Sequence, residues 1–170
     1  MGVKDILNQT QVQALEQAIM NERNSAQLAT DGEIIDNYLT ENNLIAQKTQ
    51  SGLRYIIARE GKGEKVAAGQ EVKIHYAGYL LDGTLFDTSM ESAAKASGTY
   101  TKGRPYEPLS LTAGSGQVIQ GWEEAILLMN KGSKIRVWIP SPLAYGPQSR
   151  SALIKENSIL VFDMEMVEIK

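Results

Sequence analysis

The stretch that decides the fold runs from Val72 to Ser89 and reads VKIHYAGYLLDGTLFDTS. In its first half Val72, Ile74, Tyr76 and Gly78 alternate with Lys73, His75, Ala77 and Tyr79. A period of two predicts a strand with one buried face. The same period recurs on both sides. Upstream, Leu53, Tyr55 and Ile57 alternate with Arg54, Ile56 and Ala58, and Gly61-Lys62-Gly63 reads as a turn. Downstream, Ile135, Val137 and Ile139 alternate with Arg136 and Trp138. Leu160, Phe162, Met164 and Met166 alternate with Val161, Asp163, Glu165 and Val167, and Leu109-Ser110-Leu111 is a shorter candidate. One helix interrupts the strands. Trp122, Ala125, Ile126 and Met129 share a face, Glu123 and Glu124 suit the positive end of the helix dipole, and Gly132 reads as its stop. A sheet with one apolar face needs a cover, and this helix is the obvious one. The expected class is α+β.

The 170 residues, 42% hydrophobic and 22% charged, have room for one domain, with or without an appendage. Seventeen Lys and Arg face twenty Asp and Glu, a formal net charge of −3, so no nucleic-acid partner is expected. The absence of cysteine excludes disulfides, thiolate zinc sites, a thiol nucleophile and Fe–S clusters. With no apolar run of about 18 residues, no membrane span is expected. Met1-Gly2-Val3-Lys4-Asp5 shows no signal peptide.

Composition shifts near residue 50. Before it Gln, Asn, Ala and Glu dominate; after it come every Pro and nearly all the Gly. The first part, residues 1–50, reads as a helical extension, and residues 51–170 as the main domain. Two helices are expected in the extension. One runs from Asp5 to about Gln27, with Val12, Leu15 and Ile19, joined by Ile6 and Leu7, on a thin stripe. The other starts at Thr30, where Thr30-Asp31-Gly32-Glu33 has the form of a capping box, and carries Ile34, Ile35, Tyr38 and Leu39. So little apolar surface cannot fold alone and has to dock. Lys48-Thr49-Gln50-Ser51-Gly52 reads as a linker. Residues 90–105, rich in small residues and partly helix-compatible, read as an insertion in a loop.

Several chemical motifs fail. The run Gly114 to Gly121 has neither the glycine spacing of a dinucleotide site nor the Lys-Ser/Thr of a P-loop, so it reads as a turn feeding the helix at Trp122. His75, the sole histidine, has no metal-ligand or nucleophile pattern around it and reads as a structural or surface residue. Glu123 and Glu124 point about 100° apart on a helix and cannot form a dyad. Asn8-Gln9-Thr10 matches a glycosylation sequon only in form. What remains is a set of aromatics near turns: Tyr76, Phe86, Trp122, Tyr145 and Phe162, with the carboxylate of Asp87 directly after Phe86. Tyr145 lies in a Pro-rich loop and Trp122 opens a helix after a glycine, which are places where apolar pockets are built.

Four segments in order carry a family resemblance. VKIHYAGYLLDGTLFDTS (72–89), GQVIQGWEEAI (116–126), LAYG (143–146) and ILVFDMEMVEI (159–169) resemble the signature segments of the FKBP-type peptidyl-prolyl isomerases, the macrolide-binding immunophilins. The likeness covers Leu53 to Lys170. It implies a curved antiparallel sheet wrapped around one short helix, with a pocket between them. It implies a pocket of Tyr76, Phe86, Asp87, Val118, Ile119, Trp122, Tyr145 and Phe162, with Ile154 from the loop before the last strand. Trp122 would form the floor, and the Tyr145 hydroxyl and Ile119 N–H would bond substrate carbonyls. Leu109 and Leu111 stand where better-known members carry Phe, and Pro147-Gln148-Ser149-Arg150-Ser151 replaces a His-Pro-Gly turn. These departures leave macrolide affinity and substrate preference open.

The resemblance thus implies a cofactor-free isomerase acting on X–Pro bonds of unfolded or flexible polypeptides, with macrolides as candidate inhibitors. A chaperone-like binding module without turnover is the alternative, motivated by Leu109 and Leu111. Comparison with helix-extended bacterial members suggests a homodimer through the N-terminal helices. A leader removed from the start of the chain implies the bacterial envelope or periplasm; otherwise the cytoplasm is expected.

Overall fold

A computed structural model describes residues 8–170. The elements run α1 (Gln9–Glu41), β1 (Gln47–Lys48), β2 (Arg54–Arg59), β3 (Lys62–Lys65), β4 (Glu71–Leu80), β5 (Leu85–Thr88) and α2 (Glu91–Ser97). Then follow β6 (Leu109–Thr112), α3 (Gln120–Leu127), β7 (Asn130–Lys131), β8 (Lys134–Ile139), a 3-10 turn (Ser141–Leu143) and β9 (Leu160–Ile169). The class is α+β, as expected.

The main sheet is antiparallel in the order β1-β2-β8-β9-β4-β5. The outer edge of β4 is shared: β6 pairs with Glu71–Ile74 and β5 with Ala77–Tyr79. Alternation sends Ile74, Val137, Ile139, Leu160, Met164 and Met166 to one face, where they pack against Trp122, Ala125 and Ile126 of α3. The helix lies close because Gly121 has no side chain; a Cβ there would meet Ile139 Cγ2 at 2.6 Å. The opposite face carries a second cluster in which Ile35 and Leu39 of α1 cover Trp138, Ile159 and Val161. The sheet therefore has helical cover on both faces, not only the one anticipated from α3.

The extension departs from expectation. Gln9–Glu41 is one continuous helix of 33 residues, not two. The capping box at Thr30 does not form; Thr30 Oγ1 donates to the Ala26 carbonyl inside the helix. Gly32, a member of that expected box, is there for space: a Cβ would lie 2.9 Å from the Arg54 guanidinium. That guanidinium ties α1 to β2 through Asp36, at 3.0 and 2.9 Å. Tertiary contact thus overrides the local stop signal. The helix is capped instead at Asn8, whose side chain accepts the Gln11 N–H while the Gln11 side chain accepts the Asn8 N–H. Asn8 of the sequon form is therefore an N-cap. Residues 1–7, including Ile6, Leu7 and the expected start at Asp5, lie outside the described residues.

Lys48–Gly52 is not a slack linker. Lys48 pairs with Arg54 in a short edge strand, and Ser51 and Thr49 donate their hydroxyls to Glu124 of α3. Gly132 does not end α3, which closes at Leu127; it supplies a positive φ of 86° in the turn between β7 and β8. The run Ser92–Ala96 inside the insertion is helical, as α2. Among the described residues no helix is long and apolar enough to cross a membrane.

Candidate active site

A cavity of about 780 Å³ opens between the sheet and the N-terminal end of α3. Its floor is aromatic. Trp122 meets Tyr76 edge-on at 5.2 Å between centroids and Phe162 at 5.3 Å; Phe86 meets Phe162 edge-on at 5.5 Å. Such perpendicular contacts set the positive ring edge on the negative ring face and hold each ring against its neighbour. Gly78 makes the cage possible. Its missing Cβ would stand 2.6 Å from Phe86 and 2.7 Å from Phe162.

A β-bulge explains how Phe86 and Asp87 both reach this cavity. Gly78 pairs with Asp87 and Tyr79 with Leu85, leaving Phe86 as the extra residue in β5. Strict alternation would send one of the two to the opposite face; the bulge re-aims the strand so that both line the site.

Asp87 is heavily bonded. Its Oδ2 accepts the Tyr76 hydroxyl at 2.7 Å, and its Oδ1 accepts the Thr88 N–H at 2.8 Å and Arg104 Nη1 at 2.9 Å. Burial, and then the bond to Asp87, push the Tyr76 phenol well above its ordinary range, so it stays a donor. The Asp87 bond likewise raises Arg104 further. With three donors already on it, Asp87 is a fixed strut of the wall.

The loop ahead of α3 is held by its own helix. Glu123 accepts the N–H groups of Gly114 at 2.6 Å and Gly116 at 3.1 Å. Its neighbour Glu124 binds Thr49 and Ser51, so the two glutamates diverge as helix geometry requires. Val118 and Ile119 follow the Glu123-bound loop into the cavity wall. The Ile119 carbonyl accepts the N–H groups of Trp122 and Glu123, while its own N–H has no acceptor among the described residues. His75 points away from the cavity and bonds Ser89 at 2.9 Å.

The structure brings together Tyr76, Phe86, Asp87, Leu109, Val118, Ile119, Trp122, Tyr145, Ile154 and Phe162. Leu111 does not join them. It turns inward by the same alternation as Leu109 but is buried in the core cluster that also holds Trp122 and Ala125. Sequence reading missed Gln117, Arg150 and Ser151, which complete the rim, and Arg104, which pairs with Asp87. Arg104 ends the insertion, and Arg150 lies over the Tyr145 ring at 5.5 Å. A signal for Arg104 existed: a carboxylate beside an apolar cavity requires a cation or donors, and the inserted segment has to return close to where it left. Among the described residues no three His, Asp or Glu side chains converge as a metal site.

Comparison with known proteins gives the family of the chain. Residues 62–167 match the family model for FKBP-type peptidyl-prolyl cis-trans isomerase. A probable FKBP-type peptidyl-prolyl cis-trans isomerase of Haemophilus influenzae is 40% identical over 121 residues, 71% of this chain and 44% of that protein. The FKBP-type 22 kDa isomerase of Escherichia coli is 39% identical over 138 residues, 78% of this chain and 58% of that one. An FK506-binding protein of Neisseria meningitidis is 33% identical over 111 residues, 65% of this chain and 90% of that one. The chain spans only 40–44% of the length of several curated relatives it matches. Among solved structures, that of AtFKBP13 superposes with a TM-score of 0.62 at 31% identity, covering 74% of this chain and 99% of that one. The chain belongs to the FKBP-type peptidyl-prolyl cis-trans isomerase family.

Proposed function

We propose that this chain catalyses cis-trans isomerisation of X–Pro bonds in flexible polypeptides, in the cavity floored by Trp122. One observation carries the reading: an aromatic cage with the unpartnered Ile119 N–H in its wall. The X–Pro bond prefers trans by only about 0.5–1 kcal/mol, yet amide resonance sets a barrier of roughly 18–20 kcal/mol. Twisting removes that resonance and the charge separation that water solvates best. A dry cage therefore favours the twisted form over the planar one.

The roles follow from position. Phe86, Trp122, Tyr76 and Phe162 hold the proline ring and exclude water. The Ile119 N–H and the Tyr145 hydroxyl donate to carbonyls flanking the reacting bond. Val118, Leu109 and Ile154 contact the neighbouring substrate side chains. Asp87 holds the Tyr76 hydroxyl and so keeps that ring in place. No covalent step is needed, and family membership supports turnover over passive binding. The test is exchange NMR of an Ala-Leu-Pro-Phe peptide. Acceleration by the wild type that weakens in Tyr145→Phe supports the reading; a folded wild type with no acceleration overturns it.

Two partner proposals go with it. A macrolide competes for the same cavity, so isothermal titration with FK506 should show one site that Trp122→Leu weakens. The early part of α1 exposes Leu15 and Ile19, 52% and 49% accessible, on one stripe. A second copy covering that stripe makes a dimer. Light scattering then shows a concentration-dependent mass that Leu15→Glu abolishes, and a strict monomer overturns the dimer.

A further inference from the structure

The proposed chemistry uses nothing from α1, yet α1 carries a buried carboxylate bonded to the 3-10 turn that leads into the Tyr145 loop. Asp31 is 1% exposed. Its Oδ2 accepts the Ser141 backbone N–H at 2.8 Å and the Ser141 hydroxyl as well. Its Oδ1 accepts Gln27 Nε2 at 2.7 Å. Ser141 is itself fully buried and opens the 3-10 turn that follows β8. A desolvated carboxylate holding three donors grips them firmly, because charge-assisted bonds strengthen where water is excluded.

The far side of the Ser141 residue is what matters. Its carbonyl accepts the N–H of Ala144 at 2.9 Å and of Gly146 at 2.8 Å. These are the two neighbours of Tyr145. The Gly146 carbonyl then accepts the Asn157 N–H at 2.8 Å, closing the base of the loop. The Tyr145 side chain makes no hydrogen bond among the described residues and has only Arg150 over its ring. Its position is therefore set by its backbone, and its backbone hangs on Ser141.

We infer that Asp31 is a positioning residue for Tyr145: through Ser141 it fixes the loop that stands the tyrosine at the cavity rim, so the N-terminal helix forms part of the active-site scaffold. The inference rests on the placement of Tyr145 in the site under the function proposed above. A plain anchoring role is the competing account. The chain supplies its own control for that, because Asp36 anchors α1 through Arg54, whose hydrogen bonds go to Asp36, Gly52 and Gly32 and not to the Tyr145 loop.

The full chain is tested as Asp31→Ala, Asp31→Asn and Asp36→Asn, with kcat/KM from exchange NMR on Ala-Leu-Pro-Phe and amide hydrogen exchange by residue. Asp31→Ala should lower kcat/KM about tenfold or more and speed Ala144 and Gly146 exchange at least tenfold, while Tyr76 and Gly78 in β4 stay protected. Asp31→Asn should recover to within about threefold, since its amide oxygen still accepts from Ser141 and the Gln27 amide can turn to offer its oxygen. In a Tyr145→Ala background, Asp31→Ala should change kcat/KM less than about twofold, because a residue acting through Tyr145 is not additive with its loss. Wild-type exchange at Gly146 in Asp31→Ala, an equal loss of activity in Asp36→Asn, or full additivity with Tyr145→Ala each overturns the inference. If Asp31→Ala does not fold, Asp31→Ser serves, because its hydroxyl is too short to reach the Ser141 N–H: faster Gly146 exchange supports the coupling and unchanged exchange overturns it. A wild type inactive on the peptide defeats the isomerase reading alone, because the Ala144 and Gly146 exchange still decides the coupling.

Discussion

Adding one methyl group at Gly78 should separate the cage from the fold. The backbone at Gly78 has no positive φ, so alanine is conformationally acceptable there. Space is the obstacle. The new Cβ would stand 2.6 Å from two atoms of the Phe86 ring and 2.7 Å from Phe162. Carbon atoms pack comfortably at about 3.5–4.0 Å, so one or both rings must retreat by about 1 Å. Overpacking of this kind costs roughly 1–3 kcal/mol. For a chain of this size that is a Tm loss of about 2–12 °C. The same 1 Å displacement moves the wall of the site, and misplacement on that scale costs on the order of 100-fold in rate. Gly78→Ala should therefore stay folded at 25 °C, lose about 100-fold in kcat/KM on a prolyl peptide, and show shifted Phe86 and Phe162 ring resonances. Thermal melting, exchange NMR and aromatic shifts read the three effects. A variant that melts lower but isomerises within about threefold of wild type would refute the reasoning, because the rings would then be dispensable. An unchanged Tm would refute the close contact itself.

Arg104→Ala removes one of three donors from Asp87; an exposed ion pair is worth about 0–1 kcal/mol, so Tm should hardly move while the insertion loosens, seen as faster amide exchange at Thr101. Tyr76 has a raised phenol in the folded protein, so between its unfolded and folded ionisation the native state holds the extra proton. Its stabilisation is complete below about pH 10 and lost as pH rises above it, so the wild type should lose Tm more steeply than Tyr76→Phe across pH 10–11. Glu123→Ala frees the N–H groups of Gly114 and Gly116, and should lower peptide affinity more than stability, read as a rise in KM with Tm within a few degrees. Trp138 buries an indole N–H with no partner, so Trp138→Phe should cost less than about 1 kcal/mol by urea melting, despite the smaller ring.

The strands were legible because alternation is a local signal: Val72–Tyr79 and Leu160–Val167 needed no partner to be read. The aromatic set was legible for a related reason, since Trp122 and Tyr145 sit at element ends where burial is not routine. Phe86 and Asp87 are instructive in the other direction. Adjacent residues in a strand point to opposite faces, and only the bulge against Gly78 lets both line the cavity; register against a partner strand cannot be read from either strand alone. Leu111 fails similarly, because alternation gives the face a residue points to and not how deeply it is buried there. The break expected at Thr30 failed because Gly32 answers to Arg54, a residue 22 positions away. Arg104 returns to Asp87 across an insertion whose path is set by the stack of Tyr100 on Tyr106, with Lys95 and Arg104 over their rings.

The unbroken course of α1 has a mechanical consequence. At 1.5 Å per residue its 33 residues make a rod about 50 Å long, with about 33 Å between Gln9 and the pivot at Asp31. A tilt of about 5° at that pivot sweeps the far tip through about 3 Å, while groups within one turn of the pivot move by about half an ångström. Reach and precision are thus separated along a single helix.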